Sequence, residues 1–240
     1  MLEKTRGIIL HTVKYGDSSL IITVYTKKFG RQAFLINAVR NSKSKIKAGI
    51  LQPLFIVDLE VYEKKTREVQ RIKEVRVAHP YSSIPFDIIK TTQAIFLSEV
   101  LFRVLQEEES NLSLFHFLEG TLLFFDLMEK EKALFYIWFL VHLTGYLGIV
   151  PDIQGVQDGW LDMQKGTLVS FEPLHTQFMD KNITMKIKQL LQTQLQDLEG
   201  FYLSREDRQI LVKNLLEYYH LHFNNMVSLK SLEILKEVFH

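Results

Sequence analysis

The sequence predicts an α+β fold: a five-stranded N-terminal β-barrel of OB type, then a mainly helical region carrying a small β-hairpin insert. Three observations lead there. Residues 1–79 hold short β-branched runs separated by turn compositions, after His79-Pro80 the apolar spacing changes to threes and fours, and between Pro151 and Pro173 the composition shifts to Gly, Asp and Gln. The organisation expected is a barrel over 1–79 and a helical domain over 80–240, with 151–175 as the insert.

The strands follow in order. Gly7 to Val13 is apolar and β-branched and ends in the turn residues Tyr15-Gly16-Asp17-Ser18. Leu20 to Thr26 is the second run, and Lys27-Lys28-Phe29-Gly30 turns it into a third, Arg31 to Asn37. A polar, cationic loop covers Arg40 to Gly49. A long fourth strand is expected over Leu51–Tyr62, with Phe55, Val57, Leu59 and Val61 on one face and Asp58, Glu60 and Tyr62 on the other. Glu68 to Val77 is the fifth. Five short antiparallel strands in this length fit a small closed barrel of OB type, and their spacing alone fits an SH3-like barrel as well.

Helices are expected over Phe86–Gln106 and Leu112–Lys130, the second with Asn111 at its cap. Ala133 to Pro151 holds nineteen uncharged residues, near the length a bilayer requires. His142, Thr144, Gly145, Tyr146 and Gly148 argue instead for a helix buried inside the protein, and no membrane partner is expected. Trp160 to Phe171 reads as the hairpin. Helices over about 184–197, 204–222 and 228–239 close the chain, with Ser204-x-x-Asp207 as a start signal.

Charge is uneven. The chain carries +1 overall, yet residues 1–80 hold sixteen Lys and Arg against seven Asp and Glu. Ser18 to Val57 runs forty residues without a carboxylate and holds Lys27, Lys28, Arg31, Arg40, Lys43, Lys45 and Lys47. Such a stretch suits a phosphate backbone, since each cation that meets a phosphate releases counterions. These seven are the candidate DNA-binding residues, with Tyr15, Tyr25 and Phe29 beside them as rings on which bases could stack.

Other chemistry finds little support. The absence of cysteine removes disulfides, thiolate metal sites and Cys nucleophiles, and fits a reducing compartment. The glycines form no nucleotide-binding fingerprint, there is no G-x-S-x-G or H-E-x-x-H, and His220-x-His222 points to two helix faces. No catalytic residue, metal or cofactor is expected. A nuclease or transferase would want carboxylates beside the cationic stretch, which has none. A non-enzymatic adaptor that docks proteins on the acidic helical half remains as an alternative, and retention on heparin or single-stranded DNA resin separates it from a DNA binder.

Several segments, taken in order, resemble bacterial RecO proteins of DNA repair and recombination. They are Gly7-Ile8-Ile9-Leu10, Tyr15-Gly16-Asp17-Ser18-Ser19-Leu20-Ile21, Thr26 to Arg31, Ala38 to Lys45, Leu51-Gln52-Pro53-Leu54, Leu143 to Asp152, and Leu229-Lys230-Ser231-Leu232. The resemblance implies an OB-fold, a helical domain and, in many members, a four-cysteine zinc element. It implies a bacterial cytoplasmic, nucleoid-associated protein that binds single- and double-stranded DNA and anneals complementary strands. With RecR, such a protein loads RecA on DNA coated by single-stranded-DNA-binding protein. The chain departs from the pattern at the zinc element, where Ile153-Gln154-Gly155-Val156-Gln157 replaces the first Cys pair and the second is missing near Phe171–His175. The hairpin is then expected to be held by packing. The resemblance also implies capture of the acidic, Phe-ended tail of the single-stranded-DNA-binding protein. Lys130, Lys132, Phe135 and Trp138 are the candidates for that tail, and Arg103 is the next cation to try.

Overall fold

The computed structural model describes residues 1–37, 48–64, 66–130, 132–155, 158–226 and 228–239. The chain forms two compact units, Met1–Leu127 with Leu229–Val238, and Met128–Ser228 with Phe239.

In the first unit, β1 (Leu2–Tyr15), β2 (Ser19–Thr26), β3 (Gly30–Ile36), β4 (Ile56–Tyr62) and β5 (Val69–Val77) close into a barrel of order β1-β2-β3-β5-β4. Alternation sends Ile9, Ile22, Val24, Phe34, Val57, Leu59, Val61 and Val75 into one core. All pairings are antiparallel except β3 with β5, which is parallel through Ala33–Val69 and Leu35–Arg71. The long β1 pairs β4 with its first half and β2 with its second, which closes the sheet and fixes the OB type.

The fourth strand is shorter than expected. Residues 51–55 form a bend and turn after a 3-10 turn, Ala48–Ile50, and β4 begins only at Ile56. Leu54 there has a φ of 61°, is fully buried, donates its amide to the Ile9 carbonyl at 2.8 Å, and accepts the Tyr81 hydroxyl at 2.9 Å. Burial and these two bonds hold a conformation that a β-run does not allow.

Helix α1 (Ile88–Val104) is capped by Asp87, whose carboxylate accepts the Ile89 and Lys90 amides. Helix α2 (Leu112–Leu127) starts at the expected Asn111, whose side chain accepts the Leu114 amide at 3.0 Å. Both helices pack on the barrel, with Ser98 Oγ donating to the Leu10 carbonyl and Phe115 beside Tyr25 at 6.5 Å. The closing Leu-Lys-Ser-Leu segment leads into α6 (Ser231–Val238). Glu99 of α1 accepts the Ser231 amide at 2.9 Å and the Lys230 amide at 3.2 Å, so a carboxylate satisfies the donors at that helix start.

The second unit holds α3 (Phe135–Tyr146), a sheet β7-β6-β8 (Thr167–Val169, Trp160–Asp162, Phe178–Met179), α4 (Lys181–Gln192) and α5 (Arg205–His222). Helix α3 is buried from Phe135 to Val141, as the uncharged segment predicted. No described helix is long and apolar enough to cross a membrane. The expected hairpin gains a third strand. The helix expected over 184–197 starts earlier, at Lys181, because Asp180 accepts the Ile183 amide at 2.8 Å, and ends at Gln192 before a separate 3-10 turn, Leu195–Gly200. Ser204 caps α5 by accepting the Asp207 amide at 3.0 Å.

Candidate nucleic-acid interface

The candidate cations belong to two stretches of the chain, one at the start of β3 and one beyond its end. Lys27, Lys28 and Arg31 stand at the β2–β3 turn, whereas the connection that carries Arg40, Lys43, Lys45 and Lys47 leaves from Asn37, at the other end of β3. Asn37 accepts the Ser19 hydroxyl at 3.2 Å, so that connection begins beside the β1–β2 turn. The seven residues of β3 put about 20 Å between the two ends. Arg40, Lys43, Lys45 and Lys47 lie outside the described residues.

At the β2–β3 turn the three cations have different surroundings. Lys28 is exposed and pairs with Glu3 at 2.5 Å. Lys27 has no ion-pair partner among the described residues and lines a recess of about 410 Å³ with Lys4, Thr5, Arg6, Lys28, Ser110 and Leu112. Arg31 faces inward. Its Nη1 donates to the carbonyls of Phe102 and Leu105, both at 2.8 Å, and its guanidinium lies 4.6 Å from the Phe102 ring centre. Burial lowers its pKa from the usual arginine value, and the nearby Glu108 opposes that shift. The group completes the carbonyl end of α1, which α1's own hydrogen bonds leave open. Arg31→Met is therefore expected to cost about 2 kcal/mol of stability and leave the salt dependence of DNA binding unchanged. Paired denaturant and binding titrations check this; a flatter salt slope at parental stability would make Arg31 a phosphate contact instead.

The strand faces pair most of their charge. Lys4 and Lys73 both reach Glu60 at 3.0 Å, Arg6 reaches Asp58 and Glu119 at 2.9 Å, and Arg76 reaches Glu74 at 2.7 Å. Surface pairs of this kind add little stability, but they leave those cations less available to a polyanion. Among the described residues Lys14, Lys64, Arg67 and Arg71 carry no ion pair, and sequence reading had singled out none of them.

The three candidate rings also separate. Tyr25 is buried, and burial pushes its phenol up to about 12. Phe29 is half-buried and packs against the barrel core. Tyr15 is 57% exposed, and Tyr62, unmarked in the sequence apart from its outward position, is 47% exposed.

In the second unit, Lys130 is exposed and 3.8 Å from Glu199, and Lys132 lies in the 3-10 turn before α3. Phe135 is fully buried, and Trp138 is buried with its indole N–H donating to the Thr193 carbonyl at 2.8 Å. The two lysines and the two rings therefore do not share an open surface. Arg103 lies 3.9 Å from Glu99.

The insert is built without thiolates. Leu161, Met163, Leu168 and Met179 pack into its interior. The buried Asp162 carboxylate accepts the Gln164 and Lys165 amides and sits 3.3 Å from Nε2 of His175, in the segment where the second Cys pair is missing. His220 and His222 bond separate carbonyls, those of Met226 and Met163. Among the described residues no group of three or more His, Cys, Asp or Glu stands together to hold a metal.

A closed OB-type barrel with two helices on its wall, followed by a helical unit with a small sheet, defines the class. Residues 1–81 match the family described as Recombination protein O N terminal, and residues 85–155 match Recombination protein O C terminal. The chain is 35% identical to the DNA repair protein RecO of Phocaeicola vulgatus over the full length of both. It is also 35% identical to the proteins of that name from Bacteroides fragilis and Flavobacterium psychrophilum, again over the full length of each. The chain belongs to the RecO family.

Proposed function

We propose that the protein is a non-catalytic DNA-binding mediator of DNA repair in the bacterial cytoplasm. The observation that carries this reading is the forty-residue carboxylate-free stretch, whose cations stand on the β2–β3 turn and the connection after β3 of an OB-type barrel. Membership in a family whose relatives are named for DNA repair supports it. In this reading the barrel holds single- and double-stranded DNA through phosphates, anneals complementary strands, and works with RecR to load RecA on DNA coated by single-stranded-DNA-binding protein. No nucleotide is consumed, because the work is positioning.

Salt titration tests the electrostatic part. Binding to a single strand is expected to weaken with a log–log slope of about −0.7 per phosphate neutralised. Changing Lys43, Lys45 and Lys47 together to Glu is expected to flatten the slope by roughly two units. Equal slopes for variant and parent would remove this connection from the interface. Annealing of complementary strands coated with the cognate single-stranded-DNA-binding protein, without nucleotide, tests the mediator role.

A further inference from the structure

The segment that joins β7 to β8 is a strap tied down at one point between its ends. It leaves the sheet at Val169, which pairs with Trp160, and returns where the Gln177 carbonyl accepts the Met163 amide at 3.1 Å. Among the described residues, 170–176 make no main-chain hydrogen bond to the rest of the second unit. Phe171 and Leu174 of the strap are exposed. What ties it down is His175, whose Nε2 lies 3.3 Å from Oδ1 of Asp162 on β6.

Asp162 stands on the outward face of the sheet. Leu161, Leu168 and Met179 turn to the interior, and alternation puts Trp160 and Asp162 on the other face, with Thr167 and Phe178 directly opposite Asp162. A carboxylate there would ordinarily meet water, yet Asp162 is 3% exposed. It accepts the Gln164 and Lys165 amides, Lys165 Nζ stands 3.7 Å away with its side chain largely in water, and the His175 ring of the strap lies against it. Burial by itself would raise the Asp162 carboxyl, but the Lys165 amide and His175 outweigh it and hold the group below its usual value. The sheet has other fastenings that owe nothing to the strap. The Leu161 amide donates to the Thr184 hydroxyl at 3.1 Å, and the Asp152 amide and carbonyl bond Gly166 and Leu168 at 2.7 and 3.1 Å.

We infer that residues 170–176 are a lid over the outward face of this sheet, latched by His175 on Asp162 and able to open while the rest of the second unit stays folded. The lid goes beyond the DNA-binding reading and does not depend on it. A segment without main-chain bonds opens at the cost of the few contacts that hold it. Here that contact is a hydrogen bond to an ionised group, one of the stronger kinds, so a single side chain sets the closed state. Both ends stay fixed, at Val169 and at the Met163–Gln177 bond, which keeps the movement local. Opening bares a carboxylate between Thr167 and Phe178, with Trp160 two residues away on the same strand.

Limited digestion of the full chain with chymotrypsin tests the lid, because Phe171 and Leu174 both lie in it and a protease cuts only a segment that has opened. His175→Ala is expected to speed cleavage after these two residues, identified by mass, about tenfold or more, while the thermal midpoint stays close to the parent's. His175→Gln, whose side-chain amide can still donate to the carboxylate, should recover most of the protection. Lys165→Gln removes the other cation near Asp162 without touching the strap, and should be cut at the parental rate. Unchanged cleavage of His175→Ala would remove the latch. Faster cleavage together with a midpoint several degrees lower would make the strap part of the unit's cooperative fold and overturn the lid. Equal acceleration in Lys165→Gln would overturn the assignment of the latch to His175.

Discussion

Asp126→Ala is expected to lower the stability of the first unit by about 3–5 kcal/mol, a large share of the total for an ordinary domain. The carboxylate is buried and accepts the amides of Ser82, Ser83 and Ile84 at 2.7, 2.9 and 2.9 Å, together with the Ser82 hydroxyl at 2.8 Å. It thereby fastens the end of α2 to the segment that leads from the barrel into α1. Lys90, also buried, donates to the main-chain carbonyl of Asp126 at 2.8 Å, a bond that alanine keeps. Alanine strands three backbone donors in a place water reaches poorly. Denaturant unfolding followed by far-ultraviolet circular dichroism measures the loss, and a change under 1 kcal/mol would contradict the account.

The same group predicts an acid limb. Burial by itself would raise the Asp126 pKa, but the three amide bonds outweigh it and hold the carboxyl down at about 2. A depressed carboxylate contributes its full stability above the unfolded value near 3.8, and loses it as pH falls toward 2. The parent should therefore lose about 2 kcal/mol from this group across that window. Asp126→Asn, which does not titrate, should show a correspondingly shallower fall.

Gly30→Ala is expected to be nearly as damaging, at about 3 kcal/mol. Gly30 has a φ of +63°, and a Cβ there would sit 2.3 Å from the Glu109 carbonyl oxygen and 2.7 Å from the Glu107 carbonyl oxygen and the Glu109 amide. Those are backbone atoms of the segment that receives the Arg31 amide at 2.9 Å, so they cannot rotate away. Gly16→Ala is the matched control, because Gly16 shares the φ of +63° but has nothing within 4 Å of its Cβ position. It should cost about 1 kcal/mol, the conformational part alone. Similar thermal midpoints for the two variants would show that the contact with residues 107–109 carries no energy.

The two turns also show where sequence reading runs out. Both Gly16 and Gly30 are legible as turn residues, since local φ demands follow from local composition. That Gly30 also lies against residues 107–109 depends on a contact across nearly eighty residues of chain. Arg31 is a further case. Its place in a carboxylate-free stretch made it a DNA-binding candidate, yet the fold turns its fork toward the carbonyls of Phe102 and Leu105. Phe135 and Trp138 were read as a wall beside two lysines, and the packing of α3 takes both inside. Composition gives the charge of a segment and not the direction in which each side chain points.

The sequence by itself determined what depends on near neighbours. Alternation set the barrel strands and their inward faces, Asn111 and Ser204 marked two helix starts, the uncharged run from Ala133 gave a buried helix, and the lack of cysteine ruled out a thiolate zinc element. Each follows from periodicity, capping or side-chain chemistry within a few residues. Only the tertiary structure decided the parallel closure of β3 on β5, the pairing that occupies Lys4, Arg6 and Lys28, and the inward turn of Arg31. Those depend on the register between strands distant in sequence, where a shift of one residue would turn every side chain to the opposite face.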